Sequence, residues 1–169
     1  MRGVLVAVGS AALLLGALSG CGGDVPSYSK SKACGIPADQ ISAVLGTDHF
    51  HTVTRGNTLP PREGVTFRCS VNTEDRDDMV TVTAERTSPD VLAQQQQMIA
   101  SADERFTVAG APAGIDVSPD SFTGRWTCAQ RVPDGTMRVY VTAGKKATAA
   151  ERKALLSAAA ERSSEACGS

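Results

Sequence analysis

The sequence predicts an α+β domain in which an antiparallel sheet of about six strands carries helices on one face. Several short segments alternate apolar and polar residues, which is the pattern of half-buried strands. Other segments have apolar residues at helical spacing and begin or end at helix-capping residues. The second half of the chain also repeats the pattern of the first half, so the chain predicts two similar α-β-β-β units followed by a C-terminal helix.

The first segment predicts export. Arg2 precedes an uncharged apolar run over residues 4–18, which is shorter than the roughly 20 residues of a membrane-spanning helix and fits a secretory signal peptide. The run ends at "LSGC", residues 18–21, which resembles the bacterial lipobox. This resemblance implies cleavage after Gly20 and lipidation of Cys21. Two acyl chains hold a protein on a membrane stably where a single chain does not.

The predicted organisation therefore has three parts. Residues 1–20 form the lipoprotein signal peptide, and residues 21–32 form the lipidated N-terminus and a flexible Gly-, Ser- and Lys-containing tether. Residues 33–169 form one extracytoplasmic domain of ordinary single-domain length. We expect the protein to lie at the outer face of the cytoplasmic membrane, with the membrane as a partner through its anchor.

In the first half, residues 36–46 predict a short helix with a proline in its first turn and a glycine at its end. Residues 65–71 and 80–84 alternate strictly and predict strands, joined by a polar hairpin loop. Ser88, Pro89 and Asp90 predict the start of a second helix. This helix runs to about Ala102, with Val91, Leu92, Met98 and Ile99 facing inward and the glutamines at 94–97 forming surface.

The second half follows the same order. Phe106 and Val108 predict a short strand that the segment "AGAPAG", residues 109–114, breaks. A strand around Trp126 and Cys128 follows, then a tight turn at 133–135 and a strand at 139–143. The residues of 148–151 form a capping box. The helix that this box opens has a buried side and ends near Cys167; the buried side consists of Leu155, Leu156, Ala159 and Ala160.

A constant offset suggests that the two halves arose by duplication. The same number of residues, 59, separates Phe67 from Trp126, Cys69 from Cys128, and "VTVTA" at 80–84 from "VYVTA" at 139–143. The alternative is a coincidence between two generic hairpins, because strands resemble one another easily.

Five cysteines are present, an odd number for a secreted chain. Lipidation of Cys21 would leave four, which in an oxidising compartment predict two disulfides. Four cysteines allow three pairings. We favour Cys34–Cys69 with Cys128–Cys167, because each bond would then join a terminal helix to the strands of its own half.

Several pieces of the sequence together resemble small secreted lipoproteins of unknown function from actinobacteria. These pieces are Cys34 followed by "ISAVLG", the strand Phe67-Arg68-Cys69, the glycine-rich "VAGAPAG" and the late "MRVYVTA". The resemblance spans most of residues 33–167. It implies a fold and a location at the cell envelope, and it implies no activity.

Charge and motifs remove several functional classes. With 17 basic and 18 acidic side chains, the chain has no electrostatic basis for binding nucleic acid. It contains none of the common hydrolase, metalloprotease or phosphate-binding motifs, so we predict no catalytic residue, no cofactor and no enzyme. His49 and His51 lie close together beside Asp48, but with no third ligand at a recognisable spacing they are weak metal candidates.

The remaining candidate site is the polar face of the predicted sheet. Its hydrogen-bonding side chains would suit a glycan, a peptide or another protein, although the outer face of any half-solvated sheet is polar. The residues predicted to form it are Arg68, Thr81, Thr83, Arg125, Arg138 and Tyr140. We therefore expect a binding module for an envelope ligand. The alternatives are an interaction or inhibitor subunit of an envelope complex, and an envelope enzyme with an unrecognised site.

Overall fold

A computed structural model describes residues 32–55, 59, 66–76, 79–87, 90–129, 136–143 and 147–167 of the 169-residue chain. The predicted lipidation site Cys21, the tether as far as residue 31, and the predicted turn at 133–135 lie outside the described residues. The described elements are β1 (Lys32–Ala33), β2 (Ile36–Pro37), α1 (Ala38–Leu45), β3 (His51–Arg55), β4 (Phe67–Asn72), β5 (Val80–Thr87), α2 (Asp90–Ala100), β6 (Glu104–Val108), β7 (Ala111–Val117), β8 (Phe122–Ala129), β9 (Thr136–Ala143) and α3 (Ala149–Ser163).

The predicted α+β class and antiparallel sheet are confirmed. In the described residues, the main sheet has seven strands in the order β3-β4-β5-β9-β8-β7-β6, and every neighbouring pair is antiparallel. Strands β1 and β2 form a separate small hairpin. The sheet thus exceeds the expected six strands by one.

Two strands of this sheet, β3 and β7, were not predicted, and β7 begins inside the segment that was expected to break the chain. Ala109 and Gly110 have φ of 48° and 77° and turn the chain back after β6. Gly114 then lies within β7, where a Cβ atom would approach the Cβ of Ala102 to 2.8 Å. This glycine therefore permits a close approach of the chain above the strand, and it does not interrupt the strand as its sequence context suggested.

The strand order is consistent with two related halves. Strands β5 and β9 pair at the centre of the sheet, and Val82 lies directly opposite Val141, its counterpart at the 59-residue offset. The two outer hairpins differ in register, however. Phe67 lies opposite Ala84, whereas Trp126 lies opposite Val139, four residues before the counterpart of Ala84.

The apolar core lies on one face of the sheet, which we call the apolar face. Helix α3 packs over β8 and β9, and α1 packs against α3. Leu156 of α3 lies 3.0 Å from the position that a Cβ of Gly124 would take. The largest fully buried side chains include Trp126, Phe122, Ile115, Ile41, Leu155 and Leu156.

The expectation that all helices lie on one face is wrong, because α2 packs on the other face. Gly114 lies opposite Arg125 and Gly124 lies opposite Ile115, so the two glycines occupy opposite faces of the sheet. Gly124 faces α3, whereas Gly114 faces Ile99 near the end of α2. Strand alternation shows which residues share a face, but it does not show on which face a connecting helix will pack.

Two of the predicted helix caps are present, whereas Ser88 and Pro89, predicted to open the second helix, lie outside the described residues. Gly46, at φ 72°, ends α1 and donates its N–H to the carbonyl of Ser42. Thr148 and Glu151 form the capping box of α3, which satisfies backbone donors that the helix leaves unpaired. In the described residues, no helix combines the length and the apolar character that a membrane crossing requires.

Two disulfides fasten the ends of the domain to the sheet. Cys34 is bonded to Cys69 and Cys128 to Cys167, with Cα–Cα distances of 5.4 and 5.7 Å. This is the pairing that the sequence analysis favours. The bonds close loops with sequence separations of 35 and 39 residues, and each such loop is worth about 4 kcal/mol on the chain-entropy model.

Candidate binding face

The strand registers bring the predicted polar residues into rows on the second face of the sheet, which we call the polar face. One row crosses all seven strands, and each member lies directly opposite the next. In order across the sheet, this arginine row consists of Arg55, Arg68, Thr83, Tyr140, Arg125, Gly114 and Arg105. It contains four of the six residues predicted for the binding face.

Helix α2 covers part of the polar face by packing over β7 and β8, whereas Arg105 and Thr107 of the edge strand β6 are exposed. The hydroxyl of Tyr140 donates to Oε1 of Gln95 at 2.8 Å, and Gln95 is only 5% exposed. The burial of Gln95 was not predicted, because a run of four glutamines is typical of an exposed helix surface. Conversely, Met98 was expected to face inward and is 36% exposed. The run marks a polar helix, and only packing selects which glutamine is buried.

Under α2, the predicted binding residue Arg125 serves the structure. Arg125 forms an ion pair with Asp116, and its side chain is 17% exposed. Thr127, on the same strand, is 1% exposed. Arg125 is therefore a poor candidate for contact with a ligand, because α2 and its own ion pair already occupy it.

Toward β3 the polar face is more accessible, and we call this part the open region; Ser70 and Asn72 of β4 are nevertheless buried within it. Arg68 and Thr142 are exposed, whereas Thr81, Thr83 and Tyr140 are half-buried. The open region therefore retains Arg68, Thr81 and Thr83 of the predicted site, with Tyr140 at its border with α2. The backbone of Arg138 lies between Glu85 and Thr127, and its side chain is outside the described part of the structure.

Strand β3 extends the open region to the sheet edge with residues that the sequence analysis did not select. Val53 is 50% exposed and Arg55 is also exposed, and both belong to the polar face because they lie opposite Ser70 and Arg68. The signal for this strand in the sequence is the run of β-branched residues Thr52, Val53 and Thr54.

The histidines form no described metal site. His51 lies in β3 opposite Asn72, whereas His49 precedes the strand with its Nε2 atom 3.5 Å from a carboxylate oxygen of Asp48. Both side chains of that pair are mostly exposed. Within the described residues, no group of three or more His, Cys, Asp or Glu side chains could hold a metal ion.

A depression of about 450 Å³ lies beside the β7–β8 turn and the first turns of α3. Its lining is partly apolar, and the Arg152 side chain that borders it is engaged by Glu104 and by the carbonyl of Ala147. The lining residues are Val117, Ser118, Pro119, Ser121, Phe122, Ala147 and Arg152. None of them belongs to the polar residues predicted from the sequence.

Comparison with protein-family models, with curated proteins and with solved structures found no match to this chain.

Proposed function

We propose that this chain is a lipid-anchored extracytoplasmic lipoprotein whose domain binds a ligand of the cell envelope on the open region of its polar face. The observation that carries the proposal is the use of the cysteines. The two disulfides account for four of the five cysteines, and Cys21 is the fifth. Disulfides persist in oxidising compartments outside the cytosol, which supports export. The lipobox-like "LSGC" then supplies a use for Cys21.

The open region supports the binding part of the proposal. Its exposed Arg68 lies in a row with the half-buried hydroxyl groups of Thr83 and Tyr140. An arginine can bind a carboxylate through two parallel hydrogen bonds. The row is also carried by strands inside a disulfide-fastened sheet, and rigid elements hold binding groups more accurately than loops do.

Cell fractionation of a Cys21→Ser variant tests the anchor. We expect the wild-type chain to sediment with membranes and to partition into a detergent phase, and the variant to lose both properties because it has no acyl chains. The matched control is the Cys34→Ser/Cys69→Ser double variant, which removes two cysteines of the domain and should stay on the membrane. Tight membrane association of Cys21→Ser would contradict the proposal.

Site-specific photocrosslinking in intact cells tests the binding face. A crosslinking amino acid at Thr83 should capture a defined envelope component, whereas the same group at Ala154, exposed on α3, should not. Identical products from both positions, or none from Thr83, would count against a site on the open region.

A further inference from the structure

We propose that the edge strand β3, together with Arg55 and Arg68, is a docking site for an extended acidic segment of another protein, which adds to the sheet beside β3. This inference rests on the proposed binding function and names the chemistry of its ligand.

Among the strands that the structure describes, β3 is an edge of the sheet. It stands at the end of the strand order, and four of its five residues, 52–55, are exposed. An edge strand presents backbone N–H and C=O groups that can pair with another chain. Proteins usually protect such edges with proline, lysine or a covering element, and His51–Arg55 contains neither proline nor lysine.

The opposite edge, β6, provides a contrast within the same sheet. Its apolar-face side chains are held by α3, since Glu104 pairs with Arg152 and the ammonium group of Lys153 lies 5.7 Å from the centre of the Phe106 ring. Val108 is buried and its carbonyl accepts a hydrogen bond from the indole N–H of Trp126. The apolar-face side chains of β6 are thus engaged by the domain, whereas the side chains of β3 are mostly exposed on both faces.

The charges beside β3 indicate what would bind there. Arg55 lies directly opposite Arg68, and like charges at such positions destabilise a sheet. In the described part of the chain, neither arginine forms an ion pair. A carboxylate on an added strand would lie beside Arg55, within reach of both guanidinium groups, and would offset their repulsion.

The spacing along β3 selects an extended peptide as the occupant. Val53 and Arg55 share the polar face, so an added strand would place an apolar and an acidic side chain at alternate positions beside them. Main-chain pairing supplies affinity in this mode of recognition, and the alternate side chains supply specificity. A second copy of this chain, paired symmetrically about Val53, would set Arg55 against His51 and leave the arginines without a counter-charge.

Fluorescence anisotropy with a designed peptide tests the docking site directly. The probe is a labelled peptide, TETVTET, which in antiparallel pairing places valine opposite Val53 and glutamate opposite Arg55. It is titrated with the full-length chain, purified from membranes in detergent, at about 0.15 M salt. We expect Arg55→Thr and Arg68→Thr each to weaken binding about fivefold, the upper end for an exposed charge pair. The matched control is Arg105→Thr, which makes the same change at the other end of the arginine row and should leave binding unchanged.

Peptide controls separate strand addition from simple charge attraction. TTEEVTT has the same composition but places its two glutamates on opposite faces, and it should bind more weakly than TETVTET. Two further versions of TETVTET carry N-methyl groups at alternate residues, so that each version blocks the backbone hydrogen bonds along one edge of the peptide. At least one of them should lose binding. Hydrogen exchange should slow in residues 51–55 when the unmodified peptide binds. Equal binding of all these peptides, or unchanged exchange in β3, would overturn the proposal. So would concentration-dependent dimerisation through β3 that the peptide does not reverse.

The crosslink at Thr83 distinguishes this inference from the proposed function. Competition by excess TETVTET for that product supports an acidic peptide as the ligand class. A product that persists in excess peptide leaves the binding function in place and overturns this inference, as would a product that contains a glycan rather than a protein. The absence of any product specific to Thr83 would count against the proposed binding function itself.

Discussion

Two arginines of the arginine row, one under α2 and one in the open region, differ in the use that the protein makes of the same side chain. Arg125 and Arg68 lie on the same face and in the same row, separated by Thr83 and Tyr140. Arg125 is mostly buried and paired with Asp116, whereas Arg68 is exposed and forms no ion pair with the described residues. The structural difference between the two positions is α2, which packs over β7 and β8 and so covers Arg125 only.

This comparison shows that a polar strand residue does not by itself indicate a binding surface. Where a helix covers the sheet, a charged group loses water and must find a partner within the protein. Where no helix covers the sheet, the same group remains hydrated and can exchange water for a ligand. The position of α2 therefore determines which part of the polar face can bind.

The largest expected effect comes from displacing α2 with Gly114→Ala. The new methyl group would lie 2.8 Å from the Cβ of Ala102 and 3.0 Å from the backbone oxygen of Ile99. Because backbone atoms cannot move aside as side-chain ends can, we expect this variant to lose about 2 kcal/mol of unfolding free energy, as overpacked sites do. Urea denaturation measures the loss.

Gly124→Ala is the matched control for that experiment, because it makes the same change on the apolar face. There the nearest atoms are the terminal carbons of Leu156, at 3.0 and 3.3 Å, which can shift by rotation of the side chain. We expect a loss of less than about 1 kcal/mol. An equal or larger loss for Gly124→Ala would show that α2 is not held in close contact at Gly114.

An intermediate effect is expected at the contact between Gln95 and Tyr140, where α2 borders the open region. Gln95→Ala removes a buried amide whose oxygen accepts a hydrogen bond from the Tyr140 hydroxyl. The loss of such a hydrogen bond costs about 1–2 kcal/mol. Gln96→Ala, at an exposed neighbouring position, should change the unfolding free energy by less than about 0.5 kcal/mol. Thermal and urea unfolding can compare the two variants. Equal values would mean that Gln95 contributes no more than a surface residue.

The smallest expected effect distinguishes the two arginines themselves. Arg125→Thr should lose about 1 kcal/mol of unfolding free energy, because it leaves Asp116 without its partner and opens space under α2. Arg68→Thr should change the unfolding free energy by less than about 0.5 kcal/mol, as is usual for an exposed residue. A larger loss for Arg68→Thr than for Arg125→Thr would assign a structural role to Arg68 and would weaken the case for ligand binding.

Local patterns in the sequence predicted most of the elements. The alternation over 80–84 and the capping box at Thr148 and Glu151 depend on neighbouring residues only, and the structure has a strand and a helix at these places. Strand β7 was not predicted because its Ala, Pro and Gly residues have low intrinsic β-propensity. Its place in the sheet is set by pairing with β6 and β8, which no local pattern encodes.

The candidate site was predicted only in part for a related reason. Alternation correctly assigned Arg68, Thr83, Arg125 and Tyr140 to one face. It could not show that α2 would cover Arg125, or that β3 would lie at an edge with Val53 and Arg55 exposed. These properties depend on contacts between residues far apart in the chain.

The sequence by itself determined the class of the fold, the residues that end α1 and begin α3, and the side chains that share each strand face. Each of these follows from backbone geometry over a few residues. Only the tertiary structure decided the seven-strand order, the placement of α2 on the polar face, and the resulting difference between the covered Arg125 and the exposed Arg68 of the arginine row. The physical reason is that burial depends on which distant segments pack together, and packing selects among arrangements that local periodicity leaves equivalent.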